Sequence, residues 1–201
     1  MEEPKQIVKS NLLELLQSVV IAIAICVFIY LFIATPNQID GQSMEPTFMH
    51  SQIVLTSKVH QWLGSTELGK TIGFNYQRGD VVVFQKPGLN DFIKRVIAIP
   101  GDSIQIKTGK VYVNSKQIQE PYLPNDFYTK GGTFLEENAD PIYLKENEYF
   151  LMGDNRNNSR DSRYIDVGVV KRDWIKGKVL IRYWPLNQIW VVEHKNLLET
   201  E

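Results

Sequence analysis

Cysteine is almost missing from this chain. The single Cys26 of 201 residues lies inside an apolar run, so the polar remainder has no disulfide available and must stand on its hydrophobic core. Histidine is nearly as scarce: His50, His60 and His194 are isolated, without metal-ligand spacing. They read as surface residues, and no metal or cofactor is expected. Charge of one sign is lacking too. The 22 basic and 23 acidic residues leave a formal net charge of −1. Setting aside Lys5, Lys9, Glu2, Glu3 and Glu14, the chain from residue 35 on carries 20 of each, which gives no support for a nucleic-acid partner. No internal repeat or low-complexity tract is visible. With 43% hydrophobic and 22% charged residues, the chain is neither disordered nor fibrous, and it can bury one core of ordinary size.

Only one long hydrophobic run is present. Residues 15–34, from Leu15 to Ala34, carry no charge, and as a helix they would span roughly 30 Å, about the hydrocarbon thickness of a bilayer. A cleaved secretory signal is the alternative, but its apolar part is about 7–15 residues long and ends in small side chains. Here the run is longer, and Phe32 stands two residues before Ala34. The reading is an uncleaved transmembrane anchor over 15–34 behind a cytoplasmic tail, 1–14. Lys5 and Lys9 precede the span and no lysine or arginine follows until Lys58, which places the N-terminus inside and residues 35–201 outside the cell. The lipid bilayer is therefore one partner.

Beyond the anchor, short β-branched runs dominate: 52–56, 80–84, 92–99, 103–107, 110–114, 178–184 and 188–192. They read as strands. Thr108-Gly109 between two of them supplies hairpin chemistry, and a short helix is possible near 59–68. The expected fold is a mostly β ectodomain with one N-terminal transmembrane helix. A rim insert is expected over about 108–141, loop-like from Gln119, where Pro121, Pro124 and Gly131-Gly132 cluster. Trp174, Trp184 and Trp190 suit either a membrane interface or a core.

The stretch IDGQSMEPTF, 39–48, puts Ser43 just past the anchor. A serine hydroxyl is a poor nucleophile at neutral pH without a base, and no histidine sits in a setting that suggests a triad. Lys94, within DFIKRVIAIPGD, is the other candidate. An ordinary lysine is neutral about once in two thousand at pH 7, so it would need desolvation by roughly 2–3 units, at about 3–4 kcal/mol. Alternation along the strand alone would turn Lys94 to solvent, and Ser43 alone could be a turn serine. The segment GDNRNNSRDSR, 153–163, lacks any aliphatic side chain between strand-like 149–152 and 164–165. It is either a solvated loop or a polar wall beside a site.

Four stretches in this order closely resemble the sequence boxes of bacterial type I signal peptidases: Gly41-x-Ser43-Met44-x-Pro46-Thr47, Arg78 to Phe84, Lys94 to Asp102, and Gly153 to Arg163. The resemblance implies a membrane-anchored serine endopeptidase, on a signal-peptidase-like β fold, that cleaves N-terminal signal peptides from exported preproteins with a Ser/Lys dyad. By motif position Ser43 would be the nucleophile and Lys94 the general base. Ser159 would hydrogen-bond the lysine amine, and Asp161 with Arg163 and Asp154 with Arg95 would be ion pairs holding the polar loop. Ile39, Met44, Phe92 and Ile93 would line pockets for small substrate residues. Gly41 stands where some members have a serine that serves the oxyanion; glycine there, one span and a short chain resemble the Gram-positive branch. The second oxyanion donor and the oligomeric state stay open. The rival readings are an anchored, non-catalytic ectodomain that binds a partner, and a soluble self-cleaving repressor, against which the apolar span counts.

Overall fold

The structure, a computed structural model, describes residues 4–194 and 196–198. The first three residues of the expected tail, and Lys195 and 199–201 of the expected ectodomain, lie outside the described residues. Helix α1 runs Pro4–Phe28 and finishes in a π-helical turn, Ile29–Ile33. Its stretch Leu12–Ile33, 22 residues long, is long and apolar enough to cross a membrane, and its side chains are exposed. At ~1.5 Å per residue it reaches about 33 Å. This fits a membrane anchor that begins slightly earlier than the charge-free run.

Among the described residues twelve strands follow: β1 Ala34–Gln38, β2 Ile53–Ser57, β3 Val81–Phe84, β4 Phe92–Ala98, β5 Ser103–Lys107, β6 Lys110–Val113, β7 Lys116–Gln117, β8 Ile142–Tyr143, β9 Glu148–Met152, β10 Val170–Lys171, β11 Ile175–Trp184 and β12 Trp190–Val191. They form an eight-stranded antiparallel sheet in the order β1-β2-β11-β3-β4-β9-β10, with β12 on β11, and a four-stranded sheet in the order β7-β6-β5-β8. The mostly β expectation holds. The long strand β11 bridges β2 and β3 through several register shifts, the mark of bulges that bend a sheet.

The strand residues explain their own placement. Val81–Phe84 are buried throughout, as the unbroken apolar run of a strand covered on both faces should be. Between β5 and β6, Thr108 and Gly109 both take positive φ, 43° and 74°, the two-residue hairpin geometry that twists with its strands. The expected helix near 59–68 is two short ones, α2 Val59–Trp62 and α3 Glu67–Thr71. Residues 164–165 are not a strand; they lie in a turn with Ile165 exposed.

Two other expectations are corrected. The stretch 119–141 is loop-like, but Leu135 is fully buried in the core beneath the second sheet, and Glu120 and Thr129 reach the site described below. Of the histidines, His50 and His194 are exposed as expected, His194 meeting the buried Asp80 carboxylate at 2.9 Å, whereas His60 is half-buried between Phe74 and Tyr76. Trp174 and Trp190 pack against core clusters, while Trp184 is about half exposed.

The chain's last described stretch crosses to the second sheet. Gln119 N–H donates to the Leu197 carbonyl at 2.9 Å, and the Leu197 side chain is 0% exposed among Ile104, Ile106, Val111 and Phe150. Leu197→Ala leaves a cavity there and should lower the unfolding free energy by about 2–5 kcal/mol, read from denaturant melts of the purified protein.

Candidate active site

Three elements meet at one cleft of about 950 Å³. The loop after β1 carries Ser43, strand β4 carries Lys94, and the polar loop 153–163 closes behind them. Lys94 Nζ and Ser43 Oγ lie 2.6 Å apart. The amine also donates to the Ile93 carbonyl at 2.9 Å and sits 5.3 Å from the centre of the Phe92 ring. It is only 2% exposed. The alternation argument misplaces it because β4 is covered on both faces from Lys94 to Ala98, so a side chain leaving the strand in either direction enters protein.

Burial lowers the Lys94 pKa from 10.5 to about 8, against the opposing pull of the Asp161 and Asp154 carboxylates. Near pH 7 about one amine in ten is then neutral. An uncharged amine at this distance from an alcohol can take its proton.

The reason those two carboxylates do not hold the ammonium more firmly is that each is already engaged. Asp154 accepts from Arg95 Nε and Nη2 at 2.9 and 2.7 Å, and from Thr47 Oγ1 at 2.6 Å. Asp161 accepts from Arg163 Nε at 2.8 Å and Nη2 at 2.9 Å, and from the Gly153 N–H at 3.0 Å. A third guanidinium, Arg156, pairs with Glu120 and donates to the Gly153 carbonyl at 3.1 Å and Thr129 Oγ1 at 2.9 Å. Arg95 stacks 4.1 Å from the Tyr122 ring centre. Three buried cations face three carboxylates, so a neutral Lys94 completes a balanced interior and a protonated one adds an uncompensated charge. The segment 153–163 is thus the polar wall, not the solvated loop: Asp154, Arg156, Ser159, Asp161, Ser162 and Arg163 are all buried.

Ser159 departs from what the resemblance implies. Its Oγ is buried without a hydrogen-bond partner, because the Lys94 amine turns to Ser43 and Ile93 instead, and Ser159 packs against the bare Cα of Gly153. Ile39 and Met44, buried, and Phe92 and Ile93, half-buried, all line the cleft with Ser43 and Lys94. The Ser43 N–H has no acceptor among the described residues, and the Ser43 carbonyl accepts from the Asn155 N–H at 3.0 Å.

Sequence reasoning passed over Gly153, Thr47, Arg156 and Glu120 as individual actors. Gly153 had a signal, an invitation to close backbone approach at the head of the polar loop. Glu120 had none, since only the fold brings it to Arg156. Among the described residues no cluster of three or more His, Cys, Asp or Glu is placed to hold a metal.

The family model for signal peptidase, peptidase S26, matches residues 12–184. Signal peptidase IB of Staphylococcus aureus is 34% identical over 190 residues, 90% of this chain and 93% of that one. Signal peptidase I S of Bacillus subtilis is 33% identical over 184 residues, 90% of this chain and 94% of that one. A crystal structure of a signal peptidase I from Enterococcus faecalis shares 25% identity over 52% of this chain and 96% of that one, with a TM-score of 0.43. One apolar helix ahead of a mostly β body fits a membrane-anchored peptidase. The chain belongs to the signal peptidase family, peptidase S26.

Two outcomes follow from the packing. A Cβ at Gly153 would collide with Ser159 Oγ and the Ser43 carbonyl oxygen, so Gly153→Ala should cut kcat at least about tenfold by moving the alcohol off the amine, while the circular dichroism spectrum stays that of the parent. Lys94 is buried at a cost: the unfolded chain holds its proton up to pH 10.5 and the folded one only to about 8. Below pH 8 the folded state therefore carries the full penalty, and between 8 and 10.5 the penalty fades. Lys94→Met should raise the unfolding free energy at pH 7 by up to about 3 kcal/mol, and denaturant melts should show the gap closing as pH approaches 10.5.

Proposed function

We propose that this protein is a membrane-anchored serine endopeptidase that removes N-terminal signal peptides from exported preproteins, with Ser43 as nucleophile and Lys94 as general base. The 2.6 Å contact between the two groups, in a chain of the signal peptidase family, carries the reading. Neutral Lys94 takes the proton as Ser43 Oγ attacks the scissile carbonyl, and the ammonium so formed protonates the leaving amine. An ester to the signal peptide remains. Lys94 then draws a proton from water, which attacks the ester and frees the alcohol.

The Ser43 N–H, without an acceptor among the described residues, is placed to donate to the oxyanion. Arg95 with Asp154 and Arg163 with Asp161 hold the polar wall against β4 and keep its charge balanced. Ile39, Met44, Phe92 and Ile93 give the cleft an apolar lining, which suits small residues just before the cut. The proposed topology is a cytoplasmic N-terminal tail, one pass through the cell membrane and an extracellular catalytic domain. Lys5 and Lys9 ahead of the span support it. Ser43 follows Ala34 by nine positions, at most roughly 30 Å of chain, so the nucleophile works close to the outer face where a signal peptide ends.

The test uses the detergent-solubilised full chain, a preprotein, and N-terminal sequencing of the product. Ser43→Ala and Lys94→Arg should both abolish cleavage; arginine keeps the charge but cannot act as a base. Because the neutral amine is the active form, kcat/KM should rise about tenfold per pH unit below 8 and level off above it, with the midpoint set by the Lys94 pKa of about 8. Normal processing by Lys94→Arg would end the reading.

A further inference from the structure

Helices α2 and α3 and the turn that follows them present large apolar side chains that the fold leaves outside. Trp62 is 50% exposed, Leu68 69% and Ile72 57%. This is no loose loop. Gly64 lies so close to the Phe74 and His60 carbonyls and the Arg172 guanidinium that a side chain has no room, and Gly69 packs on the Leu63 carbonyl in the same way. Arg172 Nη2 donates to the His60 carbonyl at 2.9 Å, and Phe74 N–H to the Gly69 carbonyl at 2.8 Å. The segment's inner side is therefore bound to the body, and its greasy side is turned away from it.

The other tie is to the anchor. Lys58 N–H donates to the Ile33 carbonyl at 2.8 Å, and Lys58 Nζ donates to the Tyr30 and Leu31 carbonyls at 3.0 and 3.4 Å. Trp62 Nε1 donates to the Phe32 carbonyl at 3.1 Å. A cation and an indole thus satisfy the open carbonyls at the last turn of the apolar helix, where the helix dipole is negative. Lysine and tryptophan are also the residues that settle at a membrane–water boundary.

We propose that residues 58–72 form a collar that lies in the outer headgroup layer of the bilayer, with Trp62, Leu68 and Ile72 dipping toward the acyl chains. The collar is continuous with the spanning helix and locks it to the catalytic domain. The occupant of the apolar side is lipid. The inference rests on the anchor reading, not on the Ser43 and Lys94 roles.

The experiment uses the full chain in vesicles of phosphatidylethanolamine and phosphatidylglycerol. In a Cys26→Ser background, single cysteines at Leu68, Ile72, Tyr143 and Val20 carry an environment-sensitive fluorophore. Labels at 68 and 72 should be quenched by a spin label held near the headgroups, while the label at Tyr143, 73% exposed, answers only to aqueous iodide. The Val20 label should be quenched by a spin label deep in the acyl chains. If 68 and 72 behave like 143 while 20 is deep, the collar is wrong and the anchor stands; if 20 is aqueous, the anchor reading has failed. Protection of 68 and 72 from both quenchers would mean a second copy covers them and would likewise overturn lipid as the occupant. Leu68→Asp with Ile72→Asp should slow cleavage of a vesicle-inserted preprotein about tenfold and leave cleavage of a short soluble peptide in detergent unchanged. Equal loss in both assays, or loss in neither, also overturns the proposal.

Discussion

The β-rich body beyond the apolar helix keeps one amine dry. A lysine loses its proton near neutral pH only where water is kept out and where nearby carboxylates are already satisfied. The fold meets the first condition by covering both faces of β4, and the second by giving Asp154 and Asp161 their own guanidinium partners. The two conditions are coupled. A carboxylate freed from its arginine would stabilise the ammonium it now only weakly attracts, and an arginine freed from its carboxylate would be an unpaired charge in the interior.

The geometry follows from the same arrangement. Gly153 brings three things together: its N–H binds Asp161, its carbonyl binds Arg156, and its bare Cα leaves room for the Ser43 carbonyl. The polar wall thereby sets the position of the alcohol as well as the charge state of the amine. Packing and charge balance are one constraint here, which is why a methyl group at Gly153 and a loss of balance at Arg95 would disturb the same Ser43–Lys94 contact.

Much of this was legible in the sequence, for physical reasons that differ by element. The anchor was visible because an uncharged run of 20 residues has few other fates. The strands and the Thr108-Gly109 hairpin were visible because β-branched runs and turn residues act locally. Lys94 was a candidate by its apolar stretch and by its motif, while alternation pointed it outward, because the covering of the strand's second face is a property of the whole fold. The polar loop's burial was hidden for the same reason, since eleven residues without an aliphatic side chain look solvated until their arginine and carboxylate partners arrive. Glu120 and Thr129 come from a stretch that reads as a peripheral insert, and nothing nearby in the chain announces that they meet Arg156. The Ser159 bond implied by the resemblance is absent, and its hydroxyl is spent on close packing.

The placement of β11 has a bearing on when activity can arise. The arm bearing Ser43 belongs to β1 and β2, the amine belongs to β3 and β4, and the two halves of the sheet are joined through β11, residues Ile175–Trp184. A chain emerging N-terminus first exposes alcohol and amine long before the strand that unites them. Assembly therefore waits on pairing between segments distant in sequence, and alcohol and amine stay on unjoined halves of the sheet until residues 175–184 have been delivered.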